Sequence, residues 1–262
     1  MEESNWLNRT EMLIGKEAVE ILKKSHVVVF GLGGVGSYVV EGLVRAGVSN
    51  ISIIDKDIVD ITNINRQIIA DTKTVGKAKV DAQEERIKKI NPNVNVIKIK
   101  EFVNKDNIEE IMEEIKNIRE KSNNTKNINK KVDYVIDAID TVSSKLEIIK
   151  YCYENKLKII SCMGTGNKLD ASKFEIANIS NTSVCPLAKI IRKELKKLNI
   201  YNLKVLYSKE NPVKTNTASP ASISFVPSVA GLLIAGEVVK DLVQNKSSPY
   251  CSKNKIVTTT KS

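Results

Sequence analysis

Residues 26–55 restrict the fold of this chain more than any other stretch. HVVVF, residues 26–30, is a short β-branched run and predicts a buried strand. It feeds directly into Gly31-Leu32-Gly33-Gly34-Val35-Gly36 and then into a helical stretch from Ser37 to Ala46, with Gly47 placed to cap it. ISIID, residues 51–55, predicts a second buried strand. Strand, glycine turn, helix and strand in this order open a parallel sheet, because parallel neighbours need a crossover between them.

The pattern continues with variations. Residues 11–24 have helical apolar spacing, and residues 76–90 predict an amphipathic helix stopped by Asn91-Pro92. Residues 94–103 alternate as a strand would, and residues 106–120 predict another helix. The polar run 121–131 reads as a mobile surface insertion. Buried strands are expected at 132–140 and 157–164, with a helix at 143–155 between them. Beyond Gly166 the chain turns rich in Asn, Ser, Thr and Lys, with helices expected at 186–198 and 227–244. The expected class is α/β: a Rossmann-like, mostly parallel central sheet flanked by helices, with C-terminal strand, loop and helix additions. Residues 1–262 are read as one domain, 1–165 forming a nucleotide-binding core and 166–262 additions to it.

Composition narrows the function classes. The four cysteines, Cys152, Cys162, Cys185 and Cys251, form no CxxC pair, so a zinc site built from two such pairs is not encoded. The N-terminus is polar and lacks the apolar core of a signal peptide, and the longest apolar stretch, 225–236, is too short to span a bilayer. A cytoplasmic protein with reduced thiols is expected. Forty-one basic against 31 acidic residues leave a net charge of +10. That excess suits a polyanionic partner such as nucleic acid, and equally a Lys-rich surface that only maintains solubility.

The glycine run carries the first chemical signal. A strand entering G-x-G-x-x-G ahead of a helix lets backbone approach a phosphate and points helix N–H groups at it. Gly31, Gly33, Gly34 and Gly36 supply this turn, and Gly34 removes one more side chain from it. Asp55, at the end of the next strand, is placed to accept hydrogen bonds from ribose hydroxyls. These features do not separate a nicotinamide dinucleotide from ATP. The next segment does. Breaking a triphosphate needs cations at the developing charge and a carboxylate for magnesium. Arg66 and Lys79 can supply the cations, and Asp137 and Asp140 stand at the carboxyl end of a strand, where α/β sheets place ligand-facing groups.

GLGGVGS, IDKDIVDITNINRQ, VGKAK and VIDAID, in this order, resemble the superfamily of ubiquitin-activating-type adenylyltransferases over residues 9–165. The resemblance implies that Gly34, Asp55, Asp57, Asn63, Asn65, Arg66, Lys79 and Asp140 bind ATP, with Asp140 holding Mg2+ and Arg66, Lys79 and Asp140 carrying catalysis. The implied reaction is attack of a carboxylate on the α-phosphate, releasing pyrophosphate and leaving an acyl-adenylate.

The second half selects a branch. PLAKIIRKELKK at 186–197, SFVPSVAGLLIAGEVVKDL at 224–242 and the opening RTEMLIGKEAVEILKKSHVVVFG look like the tRNA threonylcarbamoyladenosine dehydratases. That branch uses ATP to cyclise the threonylcarbamoyl side chain of an adenosine beside the tRNA anticodon. The resemblance implies a tRNA substrate, a homodimer, a partner related to cysteine desulfurases, and an N-terminal arginine, here Arg9, that reaches the ATP of the neighbouring subunit. One departure is Cys185, where the branch often has aspartate; ring closure within one side chain needs no thiol. His26, the only histidine, opens a buried strand and is expected to be structural. The basic face of 189–197 is a candidate for phosphate contacts. Three alternatives remain: an adenylyltransferase for a ubiquitin-like carrier protein, a nicotinamide-dependent oxidoreductase, and a nucleotide-sensing module without turnover.

Overall fold

The computed structural model describes residues 5–121, 131–217 and 220–244. The insertion expected at 121–131 and Cys251 therefore fall largely or wholly outside the described residues. The chain opens with two helices, α1 (Asn8–Ile14) and α2 (Lys16–Lys24). They were expected as one. Gly15, at φ 88° and ψ 152°, breaks the helical path between them.

The five-residue strand β1 (His26–Phe30) is buried throughout, and its side chains alternate between two cores. Val27 and Val29 face one, Val28 and Phe30 the other, which is the consequence of period-two geometry in a sheet covered on both faces. Helix α3 (Gly36–Ala46) follows, ended by Gly47 in the left-handed conformation as the sequence suggests. Then come β2 (Asn50–Ile54), α4 (Lys79–Ile90), β3 (Asn95–Ile99), α5 (Ile108–Lys121), β4 (Tyr134–Asp137), α6 (Val142–Glu154) and β5 (Ile159–Cys162). The second half adds β6 (Phe174–Asn178), α7 (Pro186–Lys197), β7 (Lys204–Ser208) and α8 (Phe225–Val243).

These strands form one seven-stranded sheet in the order β3-β2-β1-β4-β5-β7-β6. All neighbours are parallel except β6, which runs antiparallel to β7 at the edge. The C-terminal half thus continues the sheet of the first half. Helices α2, α3 and α8 cover one face, with α8 packed along α3. Helices α5 and α6 cover the other, and α7 closes a third cluster over β7 with Ala188, Ile191 and Leu195. Strand order reverses between β1 and β4, opening a crevice at their carboxyl ends. Among the described residues no helix is long and apolar enough to cross a membrane.

Candidate nucleotide-activating site

A cleft of about 780 Å³ lies over that crevice. Its floor is the turn after β1, which close packing fixes. Gly31 has φ 89°, and a Cβ there would stand 2.9 Å from Ala138 O in the loop after β4. A Cβ on Gly36 would fall 1.8 Å from Gly31 O, so no other residue fits while the turn keeps this path. Gly36 accordingly lies beneath the cleft, whereas Gly31, Gly33 and Gly34 line it.

Asp55 follows β2 and faces the turn. Its Oδ2 accepts Leu32 N–H at 2.6 Å and its Oδ1 accepts Asp57 N–H at 2.8 Å. Burial raises its carboxyl above the ordinary carboxylate range, and the nearby Lys79 ammonium and these two N–H donors oppose that rise. Lys79 begins α4 and is nearly buried; its Nζ lies 2.8 Å from Asp57 Oδ2. That pair spans 22 positions of sequence and aims the ammonium at the cleft.

Residues 61–66 form a short turn capped by Asp60, whose backbone N–H is accepted by Asn63 Oδ1 at 3.2 Å. The turn presents Arg66, whose Nη1 donates to Asn65 Oδ1 at 2.9 Å and Thr62 O at 3.2 Å. Asn63 and Arg66 line the cleft. Asn65 does not. It orients Arg66 and donates from Nδ2 to Ser222 O at 3.2 Å, tying this turn to the segment before α8.

The two aspartates after β4 separate sharply. Asp140 lines the cleft, exposed, and among the described residues its one hydrogen-bond partner is Thr141 Oγ1 at 3.4 Å. Asp137, expected to face a ligand beside it, is instead fully buried. The strand's alternation turns it into the sheet, where it meets Lys145 Nζ at 2.9 Å and Ser161 Oγ at 2.5 Å.

The far wall was not anticipated. It comprises Gly164-Thr165-Gly166-Asn167 after β5, Pro220, Ala221 and Ser222, and the start of α7 at Cys185, Pro186 and Leu187. A second glycine-bearing turn directly after a buried strand was the available signal. Asn167, at φ 57°, accepts Ala221 N–H on Oδ1 at 2.6 Å, joining two parts of this wall. Cys185 is buried against the cleft at the N-cap of α7 without capping it. Cys162, also lining the cleft, has its thiol pushed up to about 12, burial being the main cause. Its thiolate is scarce at neutral pH.

Arg9 sits exposed on α1, apart from the residues lining its own chain's cleft. His26 stands at the opposite, amino end of β1, its Nε2 2.8 Å from Ser52 Oγ. It is a sheet residue remote from the cleft.

The profile of the ThiF family matches residues 7–261. A tRNA threonylcarbamoyladenosine dehydratase from Bacillus subtilis (strain 168) is 41% identical over 256 residues, covering 91% of this chain and 94% of that protein. The crystal structure of Escherichia coli tRNA N6-threonylcarbamoyladenosine dehydratase in complex with AMP superposes with a TM-score of 0.81 at 30% identity, over 94% of this chain and 98% of that one. The same enzyme in complex with ATP gives a TM-score of 0.79. The yeast adenylyltransferase and sulfurtransferase UBA4 (Saccharomyces cerevisiae strain YJM789) is 27% identical over 164 residues, 63% of this chain and 33% of that protein. The chain belongs to the ThiF family, in the branch of the tRNA threonylcarbamoyladenosine dehydratases.

Proposed function

We propose that this protein uses ATP to activate the carboxylate of threonylcarbamoyladenosine in tRNA and so cyclises that side chain. One observation carries the reading. The glycine turn, Asp55, Arg66, Lys79 and Asp140 come from five separate places in the chain and border one cleft at the sheet's switch point. Relatives named for this activity match nearly its whole length.

In the proposed reaction the substrate carboxylate attacks the α-phosphorus of ATP, and the bond to the bridging oxygen of pyrophosphate breaks. Arg66 and Lys79 stabilise the charge that gathers on the phosphates, at a site already aimed by Asn65 and Asp57. Asp55 holds the ribose hydroxyls, and the turn from Gly31 to Gly36 lets the phosphates approach backbone. A nucleophilic atom of the same side chain then attacks the activated carbonyl carbon and expels AMP, a proton leaving to solvent as the ring closes. No protein thiol takes part, which agrees with the protonated state of Cys162 and leaves Cys185 as a wall residue.

Magnesium fits the donors present. Asp140 keeps its carboxylate lone pairs largely uncommitted, and the described residues form no cluster of three or more acidic, Cys or His ligands. A site with one carboxylate suits Mg2+, which takes its other ligands from phosphate and water. Bound there, it would neutralise phosphate charge.

The chain is further proposed to act in the cytoplasm as one unit over residues 1–262. It is also proposed to act as a homodimer, which would offer Arg9 of one subunit to the cleft of the other. Exposed Met12 and Leu13 on α1 and Leu232 and Leu233 on α8 are apolar surface available for such pairing. The partner related to cysteine desulfurases rests on the family resemblance alone.

The test is nucleoside mass spectrometry of tRNA from cells with and without the protein. The expected result is loss of cyclised threonylcarbamoyladenosine, accumulation of its open form, and restoration by purified protein with ATP. Lys79→Ala should abolish that restoration. An unchanged nucleoside profile would overturn the reading and favour a carrier-protein adenylyltransferase.

A further inference from the structure

We propose that the exposed lysine face of α7 is the track that holds the substrate's sugar-phosphate backbone while its modified base occupies the cleft. This rests on the reading of the cleft as a tRNA-modifying site.

The twelve residues of α7 carry five basic side chains and one acid. Among the helices of the described residues, α4, α6 and α8 interleave both signs on their exposed faces, and α5 is rich in glutamate. The basic groups of α7 differ in availability. Arg192 is committed to Thr182 O, at 2.8 Å from Nη1, and Lys197 to Glu194, at 2.6 Å. Lys189, Lys193 and Lys196 are exposed and have neither a hydrogen bond nor an ion pair among the described residues. At i, i+4 and i+7 they share one face and repel one another. The opposite face, Ala188, Ile191 and Leu195, is buried over β7, so the stripe is fixed in direction.

Its position gives the stripe meaning. Cys185, Pro186 and Leu187 line the cleft, so α7 leads outward from the cleft wall and Lys189 comes one turn later. A base that enters the cleft belongs to a polymer, and its flanking phosphates must cross the rim. The rim after β2 and β3 mixes Asp57, paired with Lys79, with Asp60, Glu101 and Lys56, and the rim after β4 presents Asp140. The wall where α7 starts instead leads onto three cations that no carboxylate among the described residues neutralises. Lys189 to Lys196 covers about 10 Å along the helix axis, more than one phosphate spacing.

The experiment uses the full chain and two triple variants, Lys189→Glu/Lys193→Glu/Lys196→Glu and the neutral Lys189→Gln/Lys193→Gln/Lys196→Gln. Binding of threonylcarbamoyladenosine-containing tRNA is measured against salt, alongside tRNA turnover, ATP affinity, and binding to phosphatidylserine-containing vesicles. The charge-reversed protein should bind tRNA at least tenfold more weakly. In the neutral variant the slope of log K against log salt should become shallower by about 2 to 3, one step of 0.7–0.9 per lost phosphate contact. KM for tRNA should rise far more than kcat falls, with ATP affinity unchanged, which also reports that both variants fold. Unchanged tRNA affinity and salt slope, in variants that still turn over, would overturn the track. Vesicle binding lost by the variants with tRNA affinity retained would assign the stripe to a membrane surface instead. If the wild type makes no cyclised product from tRNA, the functional reading fails first, and the track with it.

Discussion

Lys145 Nζ lies 2.9 Å from Asp137 Oδ2, and neither side chain has any exposed surface. The same ammonium donates to Ile139 O at 2.8 Å, and Asp137 Oδ1 accepts Ile139 N–H at 3.1 Å. The pair therefore grips both polar groups of Ile139, the residue before Asp140. Removing one charge leaves the other buried without compensation. Lys145→Met should cost about 3–5 kcal/mol in urea denaturation. Combined with Asp137→Asn it should cost clearly less than the sum of the single changes, because both remove the same interaction. Additive losses would show that the pair is not coupled.

The two glycines at either side of the turn's centre should behave differently. Gly36→Ala forces a Cβ to within 1.8 Å of Gly31 O, so it should destabilise the protein by about 3 kcal/mol or more and abolish ATP binding. A Cβ on Gly33 meets nothing within 4 Å. Gly33→Ala should melt like the wild type yet bind ATP at least about tenfold more weakly, about 1.4 kcal/mol, because it narrows only the space left for phosphate. Thermal melts and calorimetric ATP titration separate the two outcomes. Normal ATP affinity in Gly33→Ala would remove this turn from the phosphate site.

Asn65 holds Arg66 by a hydrogen bond and should act through it. Asn65→Ala removes both the acceptor for Arg66 Nη1 and the donor to Ser222 O. The expected loss is about tenfold in kcat/KM, the value of one charge-assisted hydrogen bond, with little change in melting temperature at this exposed position. Asn65→Asp keeps the acceptor and should recover much of the activity. A dead Asn65→Asp protein would point to Ser222 as the partner that matters.

Stability should fall in mild acid through His26. Burial chiefly, and Arg119 secondarily, lower its ring from the ordinary 6.5 to about 3. Between those values the unfolded chain binds a proton that the folded chain refuses. The stability present above pH 6.5 is then lost as pH falls toward 3, at about 1.4 kcal/mol per pH unit. Chemical denaturation at pH 7 and pH 5 should show His26→Gln with a shallower pH dependence than the wild type. Parallel slopes would mean that this imidazole is solvated.

The glycine turn and the buried strands were legible because each obeys a local rule. A β-branched run before G-x-G-x-x-G admits few structures, and Arg66 and Lys79 stand at positions the family resemblance marks. The far wall was not legible. Thr165, Asn167, Pro220 and Leu187 share one wall though they lie far apart in sequence, on a sheet in which β7 inserts between β5 and β6, a pairing that spacing does not encode. Asp137 was misjudged for a related reason. Its place at a strand end suggested a ligand-facing carboxylate, but the partner that buries it, Lys145, lies eight residues later on α6. Likewise, the break at Gly15 depends on a backbone angle that an apolar helical pattern conceals.

The packing of α8 along α3 has a consequence for biosynthesis. α3 follows the glycine turn early in translation, but the helix that covers it, Phe225–Val243, leaves the ribosome almost 200 residues later. In the nascent chain Val39 and Leu43 on α3 lack Ile234 and Val238, against whose apolar cluster they finally pack. Until then the segment that floors the cleft lacks its cover and is open to chaperones and to premature association. Its maturation is timed by the synthesis of α8.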